Sequence, residues 1–347
     1  MRILYAFPGT GFGHISRARE FVPILNEYSD LDVLISGPNR HLAQPFEVRH
    51  RMEGLTFFAG EKGGINFWKT FKDNSIIRAS NEIKSLHLDK YDLVISDFEP
   101  VSAFAANRQR HPNSIELSHQ CAVMHQASPK PDKRDLLGKY IMQHICPLER
   151  KVGFHFWSYD KDIYTPVIRK EIRHLTPENR GHYCVYLPAY SPAYLQKILS
   201  AIPEVKWHVF SQKVERYKQT GNCNFYPADN LVFLESFASC EGILCGAGFE
   251  TPAEALYMGK KLLVIPMKNQ YEQQCNAESL RRLGVDILPH LSAKELLFLR
   301  KWLTVKTPIK IDYPDLSHQI IHSLLNSSEK LNAQGQQFIP TEVTFGI

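Results

Sequence analysis

CGAGFETPAEALYMGKKLLVIPMKNQYEQQCNA, residues Cys245 to Ala277, is the stretch from which the fold of this chain can be read. An apolar run from Gly242 to Cys245 leads into it, and a helical pattern follows. The reading is a strand, a turn of small residues through Gly246, Ala247 and Gly248, then Phe249, Glu250 and Thr251 opening a helix with Pro252 near its first position. Small residues at such a turn let the backbone approach a ligand closely, and the free N–H groups of the helix start suit a phosphate. Glu254, further into that helix, offers a carboxylate to a sugar diol. The second half of the stretch repeats the plan: a strand over Leu262–Met267, a loop, and a helix that opens Glu272-Gln273-Gln274-Cys275-Asn276-Ala277.

Outward from this block, apolar runs alternate with helical patterns along the whole chain, which argues for parallel sheets covered by helices. Strands are predicted at Ile3–Phe7, Asp32–Ser36, Leu55–Phe58, Asp92–Ser96, Ser114–Leu117 and Gly153–Trp157, with helices at Ile15–Tyr28, within Asn66–Leu88, at Pro100–Gln109 and at Lys133–Ile145. The charged, proline-bearing stretch 161–181 has no clean period and reads as a linker. A second series follows, with strands at Tyr183–Leu187, Lys206–Phe210, Leu231–Leu234, Gly242–Cys245, Leu262–Met267 and Val285–Leu288, and helices starting near Pro192, Phe237, Thr251 and Glu272. The expected organisation is two doubly wound α/β domains, 1–160 and 182–315, facing a cleft, with a helix over 316–331 returning to the first.

A second constellation follows the first strand: Gly9-Thr10-Gly11-Phe12-Gly13-His14-Ile15-Ser16-Arg17. A dinucleotide fingerprint is disfavoured, because His14 stands where a third glycine or alanine belongs and Ile35-Ser36-Gly37-Pro38 offers no acidic ribose ligand. His14 is the candidate general base, since an imidazole titrates in the right range to take a proton from a hydroxyl nucleophile. Arg17, one turn on, shares its face.

The two constellations together resemble those of GT-B glycosyltransferases, and the Gly-x-Gly-His loop is similar to the acceptor-side loop of inverting members such as the peptidoglycan type. The resemblance implies that Gly246 to Thr251 hold the diphosphate of a nucleotide sugar and that Glu254 holds the ribose. It implies that Glu272 and Gln273 touch the donor sugar, that Ser211 reaches the diphosphate, and that Phe237 lies beside the nucleotide base. Gly13 joins the donor side; Gly11, Arg17 and His119 fall on the acceptor side. Asp97, in Ser96-Asp97-Phe98-Glu99-Pro100, orients His14 or else caps the helix that follows; His119 is the second candidate for the base. Phe249 and Glu250 depart from the family pattern, and Glu250 would repel a diphosphate unless it points away. The implied activity is inverting transfer from a nucleoside diphosphate sugar, with UDP expected, to a hydroxyl acceptor, either lipid or glycan, without metal or cofactor. A nucleotide-sugar 2-epimerase and a non-catalytic sugar-nucleotide-binding protein remain as alternatives on the same fold.

Composition agrees with a globular protein: 347 residues, 44% hydrophobic and 22% charged. The seven cysteines form no Cys-x-x-Cys pair and read as reduced, buried thiols. The formal charge of +5 falls short of a nucleic-acid footprint but permits an anionic ligand. No apolar run is long enough to span a bilayer, and MRILYAFPG reads as a first strand rather than a signal peptide. A cytoplasmic location is therefore expected. The aromatic and basic region Phe57 to Arg78 leaves room for peripheral contact with the inner face of a membrane.

Overall fold

The computed structural model describes residues 1–10, 13–55, 75–132, 135–305 and 307–336. The first half forms a sheet from β1 (Arg2–Pro8), β2 (Asp30–Ser36), β3 (His50–Met52), β4 (Leu93–Ser96), β5 (Ser114–Ser118), β6 (Arg150–Phe154) and β7 (Ile163–Tyr164). Its seven strands are all parallel, in the order β3-β2-β1-β4-β5-β6-β7. Covering or linking them are α1 (Gly13–Tyr28), α2 (Ile76–Ser85), α3 (Pro100–Gln109), α4 (His119–Met124), α5 (Leu136–His144) and the short α6 (Lys170–Arg173). Ile3 to Phe7 of β1 are wholly buried, as an unbroken apolar run in a sheet covered on both faces requires.

The second half repeats the plan with β8 (His182–Tyr186), β9 (Lys206–Ser211), β10 (Lys218–Thr220), β11 (Cys223–Pro227), β12 (Gly242–Gly246), β13 (Lys261–Ile265) and β14 (Asp286–Ile287). The order is β10-β11-β9-β8-β12-β13-β14, parallel except for β10 against β11. Its helices are α7 (Pro192–Leu199), α8 (Asn230–Ser239), α9 (Glu250–Met258), α10 (Tyr271–Arg282) and α11 (Leu296–Val305). In each sheet the strand order reverses beside the first strand, between β1 and β4 and between β8 and β12. Doubly wound sheets bind ligands at the carboxyl ends of such strands. The last helix, α12 (Ser317–Gln336), returns to pack on α1, with Ile320, Ile321 and Leu324 buried and Tyr28 against His322.

One buried apolar cluster runs through both halves, from Phe21 and Phe154 through Phe156 and Phe249 to Phe237 and Leu256. Phe156 and Phe249 meet at 5.2 Å between ring centroids, so the two sheets share core across the cleft. All seven cysteines are free and buried.

Three expectations need correction. Leu231–Leu234 is not a strand but part of α8, which begins well before Phe237. A short apolar run fits either state; here Asp229 caps the helix by accepting from the N–H of Val232, and the strand is β11 instead. The strand expected at Leu55–Phe58 is β3, at His50–Met52, while 56–58 fall outside the described residues. Within the stretch read as linker, Ile163–Tyr164 pairs with β6 and extends the first sheet.

Candidate active site

The first sheet positions the candidate base. β1 ends at Pro8, and α1 starts at Gly13, which puts His14 on the first turn of the helix and Arg17 one turn behind it. β4, the next strand over, ends at Ser96, so Asp97 emerges beside them, tied down by its N–H donating to the carbonyl of Ala6 at 2.7 Å. Asp97 is wholly buried. Its Oδ1 lies 2.9 Å from His14 Nδ1, and its two oxygens accept from Arg17 Nη2 at 2.6 Å and Arg17 Nε at 2.8 Å. Tyr5 from β1 adds a longer bond at 3.4 Å. Burial alone would push the Asp97 carboxyl up; Arg17 and then His14 outweigh it, and its pKa is lowered.

The charge balance fixes the imidazole. Arg17 Nη2 also lies 3.1 Å from His14 Nδ1, but the shorter contact to a carboxylate, which can only accept, places the proton on Nδ1. Nε2 then keeps its lone pair. It lies 3.5 Å from Nε2 of Gln120 on α4, and the same amide donates across to Glu272 Oε2 of the second domain at 3.2 Å. His14 is therefore held from behind by a carboxylate and turned in front toward Gln120, which carries Glu272.

Asp97 and Glu99 do not converge as a metal pair. Glu99 turns the other way, accepting from the N–H groups of Val101 and Ser102 as the cap of α3. Among the described residues, no group of three or more His, Cys, Asp or Glu is placed to hold a metal ion. Phe98 between them takes a left-handed backbone, φ 56°, which separates the two carboxylates.

His119 reaches the cleft at the start of α4 but is buried and fully engaged. Nδ1 lies 2.7 Å from the carbonyl oxygen of Phe154, Nε2 lies 2.9 Å from the side-chain amide of Asn276, and the ring stacks on Phe249 at 3.8 Å. Burial pushes its pKa down to about 3 despite those two partners. Its place as second candidate for the base does not fit this geometry: neither nitrogen is available to a substrate. It joins the domains instead, which also explains Phe249, whose aromatic ring provides the matching face.

On the second sheet, β12 ends in Gly246. A side chain at Gly246 would meet only the Gln273 amide, and one at Gly248 would meet nothing. Ala247 and Phe249 are buried, Ala247 accepting from Asn276 Nδ2 at 3.1 Å. No side chain caps α9, so its first N–H groups, at Glu250 and Thr251, carry no side-chain cap. A cavity of about 600 Å³ adjoins this turn. Gly246, Gln273, Tyr190, Lys213, Lys268 and His290 line it, so its polar wall is cationic. Gln273 Oε1 accepts from the N–H of Met267 at 2.8 Å and shapes the loop after β13. Ser211 closes β9 and accepts from Lys213 N–H at 3.2 Å, which links it to the same wall.

Two residues stand elsewhere than expected. Phe237 lies inside α8, wholly buried and stacked on Phe233 at 5.5 Å, with no edge left for a nucleotide base. Both oxygens of Glu254 are occupied by Arg169, at 2.6 and 3.0 Å, in a buried bidentate pair; a ribose contact would have to displace that guanidinium. Glu250 crosses the cleft and accepts from Arg17 Nη1 at 3.2 Å, so it points away from the turn that carries it. Gly11 and most of Phe57 to Arg78 lie outside the described residues. The sequence reading missed Arg169, which sat in the stretch taken for linker, and Lys213 and Lys268. The two lysines follow strand ends at the second sheet, and that position was their available signal.

Two doubly wound domains with their strand carboxyl ends facing one cleft define the GT-B fold of glycosyltransferases. The sequence matches glycosyl transferase family 1 over residues 1–302, and the chain belongs to that family. No curated protein matches it in sequence. Among solved structures it is similar to the glycosyltransferase of kitacinnamycin, with 14% identity, TM-score 0.57, and 97% of this chain and 98% of that one covered. It is also similar to the calicheamicin glycosyltransferase CalG4, at 14% identity and TM-score 0.55 over 98% and 99% of the chains. A third is UGT2 of Phytolacca americana complexed with UDP-2fluoro-glucose and pterostilbene, at 13% identity and TM-score 0.55 over 96% and 98%. At these identities the likeness is one of fold. No helix among the described residues is long and apolar enough to cross a membrane.

Proposed function

We propose that this glycosyltransferase moves a sugar from a nucleoside diphosphate donor, UDP being the expected nucleotide, to a hydroxyl acceptor, with inversion and without a metal. The observation that carries the reading is His14: Nδ1 is tied to a buried, ionised Asp97, and Nε2 is turned toward Gln120 and Glu272. As the acceptor hydroxyl attacks the anomeric carbon, Nε2 takes its proton, and Asp97 stabilises the imidazolium that forms. The sugar–phosphate bond breaks on the opposite face of that carbon, and the diphosphate leaves with its electron pair. The Gly246–Gly248 turn, the start of α9, and Lys213 and Lys268 receive its charge. Gln273 beside Gly246 meets the donor sugar. The donor domain in this scheme is 182–315 and the acceptor domain is 1–160, completed by α12. An acceptor of lipid or glycan type binds on the His14 side.

Incubation with labelled UDP-sugars and a panel of hydroxyl acceptors tests the reading. Release of UDP with label on the acceptor supports transfer. A new sugar isomer on the nucleotide would make the protein an epimerase, and binding without turnover would make it a sugar-nucleotide binder. His14→Ala should lower turnover by roughly 10² to 10⁴ while donor affinity is kept. Near-normal turnover in that variant would remove His14 as the base.

A further inference from the structure

Glu250 is carried on the second domain, yet its carboxylate belongs spatially to the first. Its Oε1 accepts from Arg17 Nη1 at 3.2 Å, and its tip lies so close to the start of α1 that a Cβ on Gly13 would come within 2.4 Å of Oε2. Arg17 is itself buried, with the rest of its guanidinium spent on Asp97. The contact therefore links the second domain to the group that, together with His14, holds Asp97 in its charged state.

The charges around His14 show what the link does. From α1 comes Arg17, positive; from the end of β4 comes Asp97, negative; the two cancel. Tyr5 of β1, raised by burial, stays neutral behind Asp97, and His119 of α4 is neutral with its pKa near 3. Gln120, also of α4, is uncharged. A proton taken up by His14 would thus add a positive charge that Asp97, already shared with Arg17, balances only in part. Two carboxylates reach this group from the second domain: Glu272 at the start of α10, within range of the His14 charge, and Glu250 at the start of α9, on Arg17 and against Gly13, the residue before His14. Glu272 is already bound by Gln120. Among the described residues, Glu250 is held by Arg17, through a contact between the two domains.

We propose that Glu250 is a positioning residue for the base: docked on Arg17 and against Gly13, it completes the charge set around His14 only when the donor domain closes. This rests on His14 as the base. Proton uptake by His14 is then favoured in the closed state and weaker in the open one, so an acceptor is activated only beside a seated donor. Glu250 also keeps its charge off the diphosphate by the same contact.

Two variants test it. Glu250→Gln removes the charge; Gly13→Ala leaves Glu250 in place and evicts its carboxylate from the seat, at a helical position that tolerates alanine. In both, the acid limb of the pH–rate profile should move to lower pH by roughly half a unit to one unit, because a negative charge near the imidazolium is lost. Plateau turnover should fall roughly three- to tenfold. The ring signals of His14, followed by NMR in the protein without substrate, should move in the same direction. That arm needs no turnover, so it reports on Glu250 even if His14→Ala proves the base to lie elsewhere. An unmoved acid limb with lost turnover, or His14 ring signals titrating as in wild type in both variants, overturns the proposal.

Discussion

At the scale of single residues, the site is governed by which carboxylates are paid with a cation. Asp97 and Glu254 are both buried near arginines, but with opposite results. Arg17 and His14 together overcome the burial of Asp97 and lower its pKa; burial of Glu254 outweighs Arg169, and its pKa is raised. The sign for Asp97 follows from its depressed value: its contribution to stability is present above the unfolded carboxyl pKa of about 3.9 and is lost as pH falls through the folded value. Asp97→Asn should therefore flatten the loss of stability below about pH 4, read from urea midpoints across pH, and lower turnover by roughly 10² to 10⁴ through a misplaced imidazole proton. Glu254→Ala should act first on the fold. It strands Arg169 beside the core and should cost about 3–5 kcal/mol in denaturant unfolding. A folded variant of unchanged stability but weakened UDP affinity would restore Glu254 to the ribose.

At the scale of elements, α8 is the informative case. Its apolar run LVFL fits a strand or a helix equally, and Asp229 as cap decides for the helix. Phe237 then falls on the buried face, stacked on Phe233. Phe237→Ala should cost about 3–5 kcal/mol in thermal or denaturant melts, with UDP affinity changed only in proportion to the folded fraction. A selective loss of nucleotide affinity in a stable variant would return Phe237 to the donor site. The helices that carry the candidate site residues were legible for a simpler reason. Each follows a buried strand, starting at Gly13, at Glu250 and at Tyr271, and the change from a continuous apolar run to a pattern near 3.6 marks the start.

At the scale of the whole molecule, the two sheets are not independent units with a gap between them. His119 on Phe249, Asn276 on His119, Gln120 on Glu272 and Tyr159 on Ser279 fasten one to the other. The connection back to α12 adds Tyr313, wholly buried, whose hydroxyl donates to the carbonyl of Phe156 at 3.0 Å. Tyr313→Phe should cost about 1–3 kcal/mol, since it leaves that buried carbonyl without a donor. Separate unfolding transitions for the two halves in wild type, followed by calorimetry, would count against so shared a core. Gln273→Ala, on the far side of the cleft, should impair use of the sugar nucleotide much more than binding of free UDP; equal losses would place Gln273 against the nucleotide.

The sequence by itself determined the class of fold and singled out candidate positions for the site. Parallel strands buried on both faces must be continuous apolar runs, and a turn of small residues before a helix is a local signal, so both could be read without the partner domain. His14, Gly246, Gly248 and Gln273 became candidates that way. What a carboxylate or a ring does once there depends on what lies opposite it, and that partner comes from far along the chain. Glu250 meets Arg17, Glu254 meets Arg169 and His119 meets Phe249 and Asn276, each pair brought together only by the packing of the sheets. Spacing along the chain carries no record of those pairs, because long-range electrostatic and aromatic contacts are fixed by tertiary geometry alone.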